Sequence, residues 1–114
     1  MRRLLLLPLL LVAACSKGPQ ADLPSIGEAR SLGAEWALVN EQASRGKLTE
    51  TYTETMRKAL RRQLQTDAKS LTESQSRYGR EIQALLAEAP DAPPANLRAH
   101  AATLKQIEDN LESA

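Results

Sequence analysis

Leu64-Gln65-Thr66-Asp67-Ala68-Lys69-Ser70-Leu71-Thr72-Glu73-Ser74-Gln75-Ser76-Arg77-Tyr78-Gly79-Arg80-Glu81-Ile82-Gln83-Ala84-Leu85 is the stretch whose reading decides the fold. Taken at heptad spacing, Leu64, Ala68, Leu71, Gln75, Tyr78, Ile82 and Leu85 keep one helical rhythm that would run unbroken to about Ala89. The middle of the stretch nevertheless carries start and stop signals. Thr72-x-x-Gln75 fits a capping box, in which two side chains satisfy the free amides of a new helix. Ser70, Ser74 and Ser76 cluster there, with Gly79 close behind. A continuous helix would leave two half-hairpins with little shared core, whereas a break lets the chain close. The favoured reading is an all-α fold, a small antiparallel helical bundle built of two helical hairpins. One long central helix flanked by two shorter ones is the alternative.

Toward the N-terminus, Thr49 is placed to cap a helix in which Tyr52, Met56, Leu60 and Leu64 recur at spacing four. Thr49 to Thr55 also alternates like a strand, but the rhythm continues far beyond strand length. Gly46 is a natural stop for the preceding helix. That first helix is expected to open at Ser25, where Ser25-x-x-Glu28 forms a capping box. Ile26, Ala29, Leu32, Trp36, Val39 and Ala43 then fall on one face, and Ala29, Gly33 and Ala37 make a stripe of small residues that admits a partner backbone. The short link from Gly46 to Thr49 makes these two helices antiparallel neighbours. Trp36 is expected in the core, opposite Met56 to Leu60, with Tyr52 on the facing stripe.

Toward the C-terminus, Pro90-Asp91-Ala92-Pro93-Pro94 ends the helix that follows the break, and Asp91 is expected to cap the last one. Leu97, His100, Leu104, Ile107 and Leu111 give that helix its apolar seam.

Ahead of the helices lies a different kind of sequence. Met1-Arg2-Arg3 is basic, Leu4 to Val12 is apolar, Ala13 and Ala14 are small, and Cys15 is the only cysteine. That order is a secretory signal peptide, and its apolar run falls well short of the roughly 20 residues a membrane span needs. Val12-Ala13-Ala14-Cys15 resembles the lipobox of bacterial lipoproteins. The resemblance implies that Cys15 carries lipid and becomes the first residue of the mature chain. It further implies a periplasm-facing envelope protein, with Ser16 after the cysteine favouring the outer membrane. The chain then divides into a signal peptide over 1–14, a lipidated tether over 15–24 and a helical domain over 25–114. Ser16 to Pro24, with Gly18, Pro19 and Pro24, reads as flexible.

Without Arg2 and Arg3 the count is 13 Lys and Arg against 14 Asp and Glu, a net charge of −1. General attraction to nucleic acid is not implied. One cysteine permits no internal disulfide, and the core must do without Phe, which is absent. The domain is therefore expected to be marginal, near the lower end of about 5–15 kcal/mol.

Few residues point to chemistry. His100 is the only histidine, and a metal needs several ligands. The nearest acids on its own helix, Glu108 and Asp109, lie two turns away, so it reads as a seam residue open to water. Arg57, Lys58, Arg61 and Arg62 lie one turn apart and share a helix face. They suit a phosphate group or the acidic face of a partner, or they form a solvated face with Glu54 paired to Lys58. No G-x-S-x-G, Ser-His-Asp arrangement or phosphate loop is present, so neither an enzyme nor a cofactor is expected. The expected partners are the membrane, reached through the lipid on Cys15, and a protein of the envelope.

Leu71-Thr72-x-x-Gln75 also resembles the L-T-x-x-Q motif of periplasmic helical stress proteins of the Spy and CpxP group. That resemblance covers five residues and implies, as an alternative function, chaperone-like binding of unfolded proteins or sensing of envelope stress. Leu48-Thr49-x-x-Tyr52 departs from the motif at its last position.

Overall fold

The chain does break where the two rhythms compete. In the computed structural model, which describes residues 18–114, four helices follow in order: α1 (Pro19–Ser44), α2 (Glu50–Ser70), α3 (Arg77–Leu86) and α4 (Pro94–Glu112). No strand occurs among the described residues. The leader and Cys15 lie outside them.

The break is made by Ser76 rather than by Thr72. Ser76 Oγ accepts the Gly79 amide at 3.1 Å and caps α3. The Thr72 amide and hydroxyl instead bind the Asp22 carboxylate. Gly79 has no room for a side chain, since a Cβ there would lie 2.3 Å from the Ser74 carbonyl oxygen. The 71–76 connection thus folds back onto the first turn of α3.

Thr49 caps α2 as expected, accepting the Tyr52 amide at 3.1 Å. Gly46, at φ 71°, ends α1 in the left-handed region that glycine tolerates. Two other boundaries differ from the sequence reading. Asp91 does not cap α4, which starts behind Pro93 with no side-chain cap and with Pro94 in the first helical position. More consequentially, α1 starts at Pro19, so the expected tether is helical over its last six residues and Ser25 sits inside the helix. Ser25 Oγ meets Ser70 Oγ at 2.9 Å rather than capping anything.

A proline within a helix removes one backbone hydrogen bond and costs about 3 kcal/mol. Pro24 is such a proline, and what offsets it lies far away in the chain. Asp22 is buried at 1% exposure and accepts hydrogen bonds from the Thr72 amide (2.7 Å), the Thr72 hydroxyl (3.1 Å), the Glu73 amide (3.1 Å) and the Tyr78 hydroxyl (2.6 Å). Burial pushes its pKa up, but these four donors outweigh it and hold the carboxyl below its usual value. The same burial and the bond to Asp22 push the Tyr78 hydroxyl up to about 12.

The helices pack in a ring, α1 against α2 and, most extensively, α4, with α3 closing the ring between α2 and α4. Ser25 meets Ser70 while Asn40 meets Arg57, so α1 and α2 are antiparallel. Arg30 binds Glu108 while Glu41 binds Arg98, which makes α1 and α4 antiparallel as well. At Gly33 the small stripe receives side chains rather than a partner backbone: a Cβ there would touch the Leu85 side chain of α3 at 3.1 Å and the Ala101 methyl of α4 at 3.6 Å. Trp36, Ile26, Leu64, Ile82, Leu85, Leu97 and Leu104 are fully buried, each contributing about 1.5–3 kcal/mol or more. Tyr52, expected on the facing stripe, is half exposed. Tyr78 takes the buried aromatic position instead.

Candidate functional site

The four cations of α2 do not form one uniform surface. Arg57 and Arg61 lean inward and are half-buried, while Lys58 and Arg62 are exposed. The inward pair belongs to a polar cluster that joins α1, α2 and the 87–93 connection. Asn40, 4% exposed, is its centre. Its amide nitrogen donates to the Pro90 carbonyl (3.1 Å) and the Ala92 carbonyl (2.9 Å), and its oxygen accepts from Arg57 Nε (2.8 Å). Trp36 Nε1 donates to the same Pro90 carbonyl at 2.9 Å. Arg61 donates to the Glu88 carbonyl at 2.9 Å and lies over the Trp36 ring, its Cζ 5.1 Å from the ring centre.

Trp36 is therefore core, as expected, in one cluster with Leu60 and with Met56 packed against it, and its polar partners are Pro90 and Arg61, the residue after Leu60. A tryptophan buried at this depth needs an acceptor for its N–H. The 87–93 connection supplies one.

Beside this cluster a cleft of about 410 Å³ is lined by Glu54, Arg57, Lys58, Arg61, Pro90 and Asp91. Arg57 and Arg61 reach their acceptors with one nitrogen each, and those acceptors are neutral. Arg30, Arg45 and Arg98 instead bind carboxylates. Among the described residues no ion pair joins Glu54 to Lys58, contrary to the expectation for a solvated face. Arg57, Lys58 and Arg61 thus share the cleft with Glu54 and Asp91 without forming an ion pair among them, a local surplus of one positive charge.

His100 is only partly exposed, and its ring nitrogens meet carboxylates. Its Nδ1 lies 2.5 Å from Glu81 Oε2 and its Nε2 2.8 Å from Glu88 Oε2, with all three side chains about one-fifth exposed. Partial burial pushes the imidazole pKa down, but hydrogen bonds and charge from Glu81 and Glu88 outweigh that and raise it above its usual value. Both nitrogens are engaged, so the ring is a clasp between α3, the segment after it and α4. The sequence reading missed both carboxylates because it searched only along the helix that carries His100. Among the described residues no group of three or more ligand side chains is arranged to hold a metal ion.

A third cluster was also missed. Asp67, 5% exposed, lies beside Glu28 between α2 and α1, and its Oδ2 is buried without a hydrogen-bond partner. Burial, then the neighbouring Glu28 carboxylate, push the Asp67 carboxyl up to about 7. Gln63 donates to Glu28 at 3.0 Å and steadies the pair.

The Leu71-Thr72-x-x-Gln75 segment is accounted for within the fold, since Thr72 binds Asp22 and the Gly18 carbonyl. Among the described residues the exposed large apolar side chains are Leu38 and Tyr52. No family model, no curated protein and no solved structure matches the chain.

Proposed function

We propose that this protein is a lipid-anchored helical interaction module of the bacterial cell envelope, held at the membrane by acyl chains on Cys15, facing the periplasm and acting by binding rather than catalysis. The anchoring half of the reading rests on the Met1 to Cys15 leader. One acyl chain is a marginal anchor at about 0.8 kcal/mol per buried methylene, so a cysteine carrying several would hold the domain firmly. By the lipobox resemblance, Ser16 favours the outer membrane.

The observation that carries the binding half is the α2 face, where Arg57 and Arg61 are fixed by neutral acceptors and Lys58 and Arg62 are exposed and, among the described residues, in no ion pair. A binding role without catalysis is further supported by His100, whose two nitrogens are taken up by Glu81 and Glu88. An adaptor, rather than a chaperone, is supported by how little large apolar surface the bundle exposes.

Mass spectrometry of the mature protein from cells is the test of the anchor. Acylated Cys15 at the N-terminus is expected, and Cys15→Ser is expected to block processing. An unmodified Cys15 inside an unprocessed or differently cleaved chain overturns it. For the binding face, envelope crosslinking should lose its partner when Lys58 and Arg62 are changed to Glu, with the thermal midpoint unchanged.

A further inference from the structure

We infer that Arg57, Lys58 and Arg61 form a binding site for a compact phosphate ester, of the kind found on a lipid headgroup or on a small soluble molecule. The inference deepens the binding half of the reading above and takes from it only that the α2 face is the contact surface. It does not require lipid on Cys15.

Three features select this ligand class. First, the cleft is pre-organised. Arg57 is held through Nε by Asn40, which is itself locked by Pro90 and Ala92, and Arg61 is held by the Glu88 carbonyl and by stacking on Trp36. Each guanidinium keeps further N–H groups, and a planar fork with fixed orientation matches a phosphate edge. Second, Lys58 lines the same cleft, is exposed, and adds a compact point charge to it. Third, Glu54 and Asp91 line the cleft too. An extended acidic surface would set its own carboxylates against them, whereas one phosphate fits among three cations and lets its ester substituent leave the cleft. The size of the cleft, about 410 Å³, suits a headgroup rather than a polymer.

Trp36 is the only tryptophan and touches Arg61, so its fluorescence reports on the site. The full chain in neutral detergent would be titrated, at constant pH and ionic strength, with inorganic phosphate, glycerol 1-phosphate, lysophosphatidic acid and hexaglutamate. A saturable change in Trp36 emission is expected with the phosphate probes. Tighter binding of lysophosphatidic acid than of glycerol 1-phosphate identifies the lipid headgroup as the source. Equal affinity identifies a soluble ester, and either result supports the site. Lys58 is exposed, so Lys58→Gln should fold normally, and it is expected to weaken phosphate binding about two- to fivefold. Arg61→Lys keeps the charge and removes the fork, and should weaken it further. The inference is overturned by no saturable response, by a response that Lys58→Gln leaves unaltered, or by tighter binding of hexaglutamate than of any phosphate probe. A finding that Cys15 carries no lipid would leave this titration unaffected, so the two readings fail separately.

Discussion

Asp22 and Asn40 stand eighteen residues apart on α1, five full helical turns, and therefore face the same side of it. Asp22 grips the connection before α3 through Thr72, Glu73 and Tyr78. Asn40 grips the connection after α3 through Pro90 and Ala92. One helix thus pins both ends of the shortest one. α3 has only 10 residues, too few to be stable alone, and it depends on these two polar anchors as well as on its buried Ile82 and Leu85.

Asp22→Ala is expected to destabilise the domain by about 2–4 kcal/mol, because it strands a buried hydroxyl and two amides and leaves Pro24 uncompensated. Tyr78→Phe removes one of the four donors and should cost about 1–2 kcal/mol. Thermal melts of the two variants give the comparison. An Asp22→Ala midpoint equal to wild type would mean that the α1 extension contributes nothing to stability.

Trp36→Ala should cost about 3–5 kcal/mol, through lost burial and the cavity left behind. Trp36→Phe keeps most of the bulk but removes one of the two donors to the Pro90 carbonyl, leaving Asn40, and weakens the Arg61 stack, and should cost about 1–2 kcal/mol. Denaturant unfolding followed by circular dichroism separates the two. If Trp36→Ala shifts nothing, the core assignment fails.

Gly79→Ala is expected to be among the most damaging small substitutions, at about 1–3 kcal/mol or more, since a Cβ would fall 2.3 Å from a backbone oxygen that cannot step aside. Gly46→Ala meets no atom within 4 Å and should cost only its left-handed backbone penalty, about 1–2 kcal/mol. Hydrogen exchange should show the Gly79 variant losing protection in α3 first.

Stability should fall as pH rises through neutrality. A carboxyl whose folded pKa is raised, as Asp67's is to about 7, binds its proton more tightly in the folded than in the unfolded chain. Its contribution is complete below the ordinary value near 3.8 and is lost as pH climbs through about 7. His100, raised above 6.5 by Glu81 and Glu88, adds a loss of the same sign from 6.5 upward. Asp22, lowered from 3.8, acts oppositely and costs stability only in strong acid. The melting temperature is therefore expected to be highest at about pH 4–5 and lower at about pH 8. Asp67→Asn should flatten much of that decline. A melting temperature that rises from about pH 5 to pH 8 would contradict the assignment of both groups.

Much of the fold was legible along the chain because helices declare themselves locally. Spacings of three and four placed Trp36, Leu64, Ile82 and Leu104 in the core, and the Gly46 stop and Thr49 cap follow from conformations a residue adopts with its near neighbours. The candidate site was legible only in outline. The run of Arg57, Lys58, Arg61 and Arg62 is visible at helical spacing, but nothing nearby shows that Arg57 and Arg61 are turned inward by Asn40, Trp36 and Glu88.

What the sequence determined by itself was an all-α chain with an apolar stripe on each helix, and it left open whether the chain breaks near Thr72, which the tertiary structure decided. What the tertiary structure decided was every polar choice. Pro24 argues locally for a helix that starts after it, yet Asp22 finds four donors some fifty residues on, and the helix starts at Pro19. His100 has no acid within reach on its own helix, yet packing delivers Glu81 and Glu88 to its two nitrogens. Tyr52 and Tyr78 both lie on apolar stripes, yet only Tyr78 is buried, because only its hydroxyl meets an acceptor inside. Apolar burial is non-directional and can be read from periodicity. A buried polar group must be matched atom by atom, and its match is set by which segments the fold brings together.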